Sequence, residues 1–323
     1  MRNVYFSVAI RDAIRNEMLR NPDMFCIGED IGVFNGAFGA TAGLYDEFGP
    51  ERIFDTPIAE QAIVGLSAGA ALTGMVPVAE IMYNDFMLCA ADQLVNQAAK
   101  FRYMYGGGMK VPMVVRMAVG GGLQCAAQHS QSLEGLLVHI PGLKVVYPST
   151  PADAQGLLIA AIRDENPVIF CEHELLYQKK GDVPDTFEPI PLGKADVKKE
   201  GTDVSVIATG LCVHKSLEAA ETLAKEGISV EVVDPRTLYP LDKKTIYQSV
   251  SKTRKVVIVT EECKRGAWSA EMAANIAEDM FQSLDSKIAR VGALNTPIPF
   301  AVELEEYVIP QVGDIIKAVK SVI

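Results

Sequence analysis

The stretch from residue 55 to residue 81, DTPIAEQAIVGLSAGAALTGMVPVAEI, decides the fold. Thr56 is suited to cap a helix and Pro57 to occupy its first position, so the spacing predicts a helix over 60–73. A short β-branched run over 76–81 follows directly and reads as a strand. Helix and strand in that succession form the repeating unit of an α/β protein built on a largely parallel sheet.

Outward from this unit the alternation continues. Strands are expected over 24–28, 112–118, 143–147 and 167–171, and helices over 6–20, 86–105, 130–140 and 151–163. Between 178 and 201 the composition turns to Lys, Gly, Asp and Pro, with Pro184, Pro189 and Pro191 close together. Neither helix nor strand is expected to persist there, and the stretch reads as a linker. Strands over 203–208, 229–234, 255–260 and 287–291, with helices over 212–226, 242–251 and 267–282, then predict a second, smaller α/β domain. The expected organisation is a first domain at 1–177, a linker at 178–201 and a second domain at 202–323, with no short repeat and no low-complexity tract.

A chain of 323 residues suits this division, since a domain takes roughly 150 residues. Hydrophobic residues at 49% and charged residues at 22% exclude a disordered or fibrous chain. Thirty Lys and Arg against 41 Asp and Glu give 30 − 41 = −11, a balance that repels phosphate backbones, so no nucleic-acid partner is expected. No run of about 18 apolar residues occurs, and the first residues alternate charged with apolar side chains, so neither a membrane span nor a signal peptide is expected and the location is read as cytoplasmic. The six cysteines, Cys26, Cys89, Cys125, Cys171, Cys212 and Cys263, lie far apart without a CxxC pair and read as reduced core cysteines.

Generic motif searches exclude more than they find. The chain has no GxxxxGK[ST] phosphate loop, no GxSxG elbow, no HExxH and no GxGxxG after a strand. Three stretches still carry chemistry. Glu60 falls in the first turn of its helix among Ile58, Ala59, Ile63 and Val64; it either complements the helix dipole or is a partly desolvated acid fit for proton transfer. On the same helix Gly65, Ala68, Gly69 and Ala71 permit a close backbone approach, within one domain or between subunits. Second, three glycines at 120–122 precede His129, whose polar neighbours suit an imidazole standing in a cleft. Third, a helix end at 160–163 followed by Asp164 and Asn166 offers oxygen donors to a cation, or is simply a capped end turning into a strand.

Gly-Glu-Asp at 28–30, Asp-Thr-Pro-Ile-Ala-Glu at 55–60, Glu-Ile-Met-Tyr-Asn-Asp-Phe at 80–86, Ala-Gln-His-Ser-Gln-Ser at 127–132, Pro-Gly-Leu-Lys-Val-Val at 141–146 and Asp-Pro-Arg-Thr-Leu at 234–238 together carry a resemblance. In order and spacing, over nearly the whole chain, the sequence resembles the β subunits of thiamine-diphosphate-dependent 2-oxoacid and acetoin dehydrogenase complexes. The resemblance implies a pyrimidine-binding domain followed by a transketolase C-terminal-type domain. It implies that Glu60 pairs with a ring nitrogen of the cofactor's aminopyrimidine, that Met82 and Phe86 pack on that ring, and that Glu29 and Asp92 lie behind the cofactor. His129 would stand near the reactive carbon and serve proton transfer and passage of the acyl group to a lipoyl arm. Met113, Ala161, Ile162, Asp164 and Asn166 match a potassium site of some members.

The family holds its Mg²⁺ with a Gly-Asp-Gly motif and a downstream Asn, and Gly-Asp-Gly does not occur in this chain. The resemblance therefore implies an α subunit that holds Mg²⁺ and shares the thiamine diphosphate, in an α₂β₂ heterotetramer serving a lipoyl-bearing acyltransferase. The runs at 83–86, 100–107 and 147–151 look more like acetoin dehydrogenase β subunits than like branched-chain ones, and pyruvate-specific β subunits share much of them. Pyruvate or another 2-oxoacid is the alternative substrate, and a non-catalytic scaffold subunit is the alternative of another class.

Overall fold

Parallel strands, apolar on both faces, form the centre of the first unit. The computed structural model describes residues 1–323, which separate into two units: residues 1–119 with 137–192, and residues 120–136 with 193–323. The first unit contains β1 Arg2–Tyr5, α1 Phe6–Arg20, β2 Met24–Gly28, α2 Leu44–Phe48, β3 Ile53–Asp55, α3 Glu60–Leu72, β4 Val76–Tyr83, α4 Ala99–Met104 and β5 Val114–Val119. After α5 Glu134–Val138 it resumes with β6 Lys144–Val146, α6 Pro151–Ile162, β7 Val168–His173 and β8 Lys180–Val183. Its sheet has the order β6-β7-β5-β4-β2-β3, with every pairing parallel.

Strand β5 is buried at all six positions. Helices cover both faces of such a sheet, so its strands read as continuous apolar runs instead of alternating ones. Helix α1 buries Phe6, Ala9, Ile10, Ala13 and Ile14, an i, i+3, i+4 stripe, and packs along α6. Burying each large side chain of that stripe contributes about 1.5–3 kcal/mol. Helix α6 starts as its sequence asks: Thr150 accepts the N–H of Asp153 at 3.2 Å and Pro151 takes the first helical position.

From β2 the chain moves to β3 on one side, then crosses to β4 on the other side of β2. That reversal is a topological switch point, and in open parallel sheets ligands bind outside the carboxyl ends of the strands at such a point.

The second unit contains β9 Asp196–Lys199, β10 Val204–Ala208, α7 Leu211–Ala224, β11 Val230–Asp234, β12 Thr237–Tyr239, α8 Lys243–Thr253, β13 Val256–Cys263, α9 Trp268–Met280, β14 Ala289–Ala293, α10 Val302–Val308 and α11 Val312–Lys320. Its sheet runs β14-β13-β10-β11-β9, parallel except for β9. Val206, Val232, Val257, Leu223 and Ile315 are among the residues of its core.

Five expectations need correction. Thr56 does not cap α3: the helix begins at Glu60 with Ala59 as its cap residue, and the Thr56 hydroxyl is buried without a partner. The expected helix over 86–105 is a 3-10 turn, Asn84–Ala90, then a π-helical stretch, Asp92–Ala98, and only then α4. Gly142, in the left-handed region, packs so closely on the Ala99 carbonyl that no side chain fits between them. The stretch 178–201 holds two strands, because β8 pairs with β1 and β9 with β11; edge pairing tolerates the prolines between them. The helix expected over 130–140 shrinks to α5. Of the cysteines, Cys26, Cys171 and Cys212 are core residues, while Cys89 is exposed. No helix is long and apolar enough to cross a membrane.

Candidate active site

Three turns of the first unit meet at the carboxyl ends of β2, β3 and β4. Glu29 directly follows β2, Glu60 opens α3 soon after β3, and β4 carries Met82 before passing into the 3-10 turn that bears Phe86. The N–H of Thr56 donates to the Gly28 carbonyl at 3.0 Å and ties the first two turns together. Asp55 accepts the N–H groups of Gly32 at 2.6 Å and Val33 at 3.1 Å, which fixes the loop beyond Glu29.

The outcome is a pair of acids. Glu29 and Glu60 are each only 8% exposed, in a region whose Met82 and Phe86 are half-buried. Burial, then the neighbouring Glu60 charge, pushes the Glu29 carboxyl above its usual range, although the Ala59 N–H donates to it. Glu29 Oε1 has no partner in this chain. An orphaned acid oxygen beside a second carboxyl at a helix N-terminus fits a ligand that brings N–H donors, as an aminopyrimidine does.

Next to this pair, Glu80 of β4 belongs to a network that the residue patterns did not single out. Arg116 Nε and Nη2 donate to the two oxygens of Glu172 at 2.8 and 2.7 Å, and its Nη1 donates to Glu80 Oε2 at 2.6 Å. The Tyr177 hydroxyl adds a bond to Glu172 Oε2 at 2.6 Å. Burial raises the Glu172 carboxyl, against the pull of Arg116, and burial opposes the Arg116 charge, which Glu172 and Glu80 more than offset. An arginine inside Val-Val-Arg-Met-Ala-Val was the available signal, because a lone charge in a buried strand requires partners.

Asp92 does not join the acid pair; it is exposed and accepts from Asn96 Nδ2 at 2.8 Å. The residues matched to a potassium site lie along one turn. The Asp164 N–H donates to Ala161 O at 3.2 Å, both N–H groups of Asn166 donate to Asp164 Oδ1 at 2.9 and 2.8 Å, and Met113 O accepts from Val168 N at 2.9 Å. Ile162, one residue before the Arg163 cap, closes α6. Lys144 already places its ammonium on the Asp164 carboxylate.

His129 belongs to the second unit and is half-buried there. It follows a 3-10 turn, Ala126–Gln128, in a loop whose ends are joined by the Gly120 N–H donating to Gln131 O at 2.9 Å. A cavity of about 530 Å³ beside this loop is lined by Ser130, Ser132, Glu261, Glu262 and Ile298, among others. Glu262 accepts the N–H groups of Gly135 at 2.7 Å and Trp268 at 2.9 Å, yet burial still lifts its carboxyl to about 7.

Residues 3–180 match the family described as "Transketolase, pyrimidine binding domain", and residues 193–315 match "Transketolase, C-terminal domain". The chain is 50% identical over 301 residues to the 2-oxoisovalerate dehydrogenase subunit beta of Bacillus subtilis, covering 93% of this chain and 92% of that one. It is 47% identical over 330 residues to the acetoin:2,6-dichlorophenolindophenol oxidoreductase subunit beta of Cupriavidus necator, covering 99% and 97%. The pyruvate dehydrogenase E1 component subunit beta of Rickettsia felis is 44% identical over 314 residues, covering 97% and 96%. Among solved structures, a split-gene transketolase described as an inactive β4 tetramer superposes with a TM-score of 0.79 at 25% identity, covering 99% and 98%. By both its halves and its relatives, the chain belongs to the family of thiamine-diphosphate-dependent 2-oxoacid and acetoin dehydrogenase β subunits.

Proposed function

We propose that this chain is the β subunit of an acetoin-cleaving dehydrogenase component, acting in the cytoplasm with an α subunit as an α₂β₂ heterotetramer and passing an acetyl unit to the lipoyl arm of an acyltransferase. The observation that carries the reading is the Glu29–Glu60 pair with its orphaned oxygen at the switch point of the first unit's sheet. When bound, thiamine diphosphate would supply a nucleophilic thiazolium carbon.

Glu60 holds a proton between its carboxyl group and a pyrimidine ring nitrogen, favouring the tautomer able to act as a base. Burial and the Glu60 charge push the Glu29 carboxyl upward, which disfavours a second negative charge beside Glu60. Met82 and Phe86 pack on the pyrimidine ring and keep water from it. His129 donates and accepts a proton at an imidazole nitrogen during transfer of the acetyl group. Mg²⁺ and the diphosphate fall to the α subunit, since Gly-Asp-Gly does not occur here. Val33, Phe34 and Ile58 stand 68%, 76% and 82% exposed on the loops flanking the acid pair, an apolar surface that suits a partner subunit. A potassium ion near Asp164 would rest on main-chain carbonyls, because Lys144 engages the carboxylate.

A 2-oxoacid substrate is the second reading, favoured by the 50% identity to a 2-oxoisovalerate dehydrogenase subunit. Co-expression with the α subunit, followed by turnover on acetoin, pyruvate and 2-oxoisovalerate, separates the two; fastest turnover on a 2-oxoacid overturns acetoin. In the same complex Glu60→Gln is expected to bind cofactor within about tenfold of the parent while turnover falls roughly 10²- to 10⁴-fold. Hydrogen–deuterium exchange at the thiazolium carbon should slow in parallel. Exchange at the parent rate would return Glu60 to a helix-dipole role and leave the scaffold reading standing.

A further inference from the structure

The loop from Gly120 to Gln131 holds several residues in unusual backbone conformations. Gly120 and Gly122 have φ of 87° and 122°, and two residues with side chains, Gln124 and Ala126, are held at φ of 58°. A non-glycine residue in the left-handed region persists only where its surroundings over-determine it. Here the surroundings are carboxylates. Glu305 directs both oxygens at the loop: Oε1 accepts the Gly122 N–H at 2.9 Å and Oε2 accepts the Gln124 N–H at 3.2 Å. Glu261 Oε1 accepts the neighbouring Gly121 N–H at 2.8 Å.

Three of the loop's main-chain donors thus end on two acids of the same unit. Glu305 is 2% exposed, and its main chain is fixed by α10, its N–H donating to Ala301 O at 2.8 Å and its carbonyl accepting from Ile309 at 3.0 Å. The approach is close enough that a Cβ at Gly121 would stand 3.2 Å from Glu305 Oε1 and 3.4 Å from Ser130 Cβ. Charge-assisted bonds from a rigid helix to a strained loop define a clamp.

We propose that Glu305 is a positioning residue for the acyl-transfer step: its bidentate grip on Gly122 and Gln124 sets the loop conformation that presents His129. The inference rests on the reading of His129 given above. It adds a residue lying far from the loop in sequence, whose only approach to the chemistry is through the loop backbone.

The test uses the α₂β₂ complex, with turnover read two ways: reduction of 2,6-dichlorophenolindophenol, which takes electrons without a lipoyl arm, and reductive acetylation of free oxidised lipoamide, whose disulfide takes the two electrons as one sulfur is acetylated and the other becomes a thiol. Glu305→Ala should lower the lipoamide-linked rate about 10- to 100-fold, leave the dye-linked rate within about threefold, and speed amide hydrogen exchange across 121–131. Glu305→Gln keeps one acceptor oxygen and should fall between Glu305→Ala and the parent; it also serves where the alanine variant fails to assemble. Glu305→Ala should cost little more in a His129→Ala background, since both changes remove the same function. Equal losses in the two assays, additive losses with His129→Ala, or parent-like exchange in the loop would each overturn the proposal. A His129→Ala variant with parent lipoamide activity would overturn the reading of His129 and this inference together. A strong His129→Ala effect with no selective Glu305 effect overturns this inference alone.

Discussion

Two groups of buried acids lie near one another in the first unit and are satisfied in opposite ways. The group of Glu172 and Glu80 is saturated with a cation: Arg116 reaches both with three bonds of 2.6–2.8 Å, and Tyr177 adds a fourth to Glu172. Glu29 and Glu60, at the ends of neighbouring turns, share no cation, and Glu29 Oε1 has no partner. The same residue type therefore does two different jobs. Acids held by a shared cation keep strands β4, β5 and β7 in place, whereas an acid left short of donors suits a ligand that brings them.

The largest expected effect comes from breaking the saturated group. Arg116→Met has similar volume but leaves Glu80 and Glu172 buried without a cation, a change worth about 3–5 kcal/mol. The thermal midpoint should fall by roughly 10 °C. Glu60→Gln, at the unsaturated group, should move the midpoint little. Comparable losses for the two variants would show that Glu60 too is part of the fold's support.

How much of this was legible beforehand follows from what each feature depends on. Helix α1 and strand β2 sit at their expected bounds of 6–20 and 24–28, because periodicity and apolar runs are local signals. Strands β8 and β9 escaped, since their stretch is rich in proline and glycine and they exist only through β1 and β11. The irregular 84–104 segment escaped because its turn type is set by what packs on it, as at Gly142 and Ala99. Glu60 stood out through its place before an apolar helix. Glu29 came from resemblance alone, and nothing in the spacing joins Glu305 to a loop some 180 residues earlier. Side-chain partnerships across long separations are tertiary facts, and a single sequence carries no local trace of them.

A smaller effect sharpens the contrast from the unsaturated side. Glu29→Gln removes a carboxyl that burial and Glu60 disfavour in its charged form, at the loss of one bond from Ala59. A raised folded-state value means the group's contribution is complete below the ordinary value of 4.5 and is lost as pH climbs through the raised value. The variant should accordingly match the parent near pH 4 and be as stable or slightly more stable at pH 8. Thiamine diphosphate affinity of the assembled complex should still fall, by about three- to tenfold. A stability loss at pH 8 would place Glu29 with Glu172, as a fold-holding acid.

The smallest effect lies in the second unit, where Glu134 gives the limiting case of an unsaturated acid. Apart from its own N–H, neither Glu134 oxygen has a partner; burial first, then the charge of Glu262, then that of Glu261, push its carboxyl well above the usual range. Glu262 itself stands at about 7 from burial, against the bonds from Gly135 and Trp268. Both shifts are upward, so the contribution of this pair is whole below about pH 4.5, where folded and unfolded chains alike are protonated. As pH rises the unfolded chain ionises first, and stability drains away through pH 7, by up to ~1.4 kcal/mol per pH unit for one such group. Glu134→Gln is isosteric, always neutral, and breaks no bond to another residue. Its midpoint should equal the parent's at pH 4 and exceed it by a few degrees at pH 8. Scanning calorimetry at the two pH values decides the matter. An equal gain at both would trace the effect to packing, and a loss at pH 8 would mean that the Glu134 carboxylate meets a cation when folded, placing it with Glu172 after all.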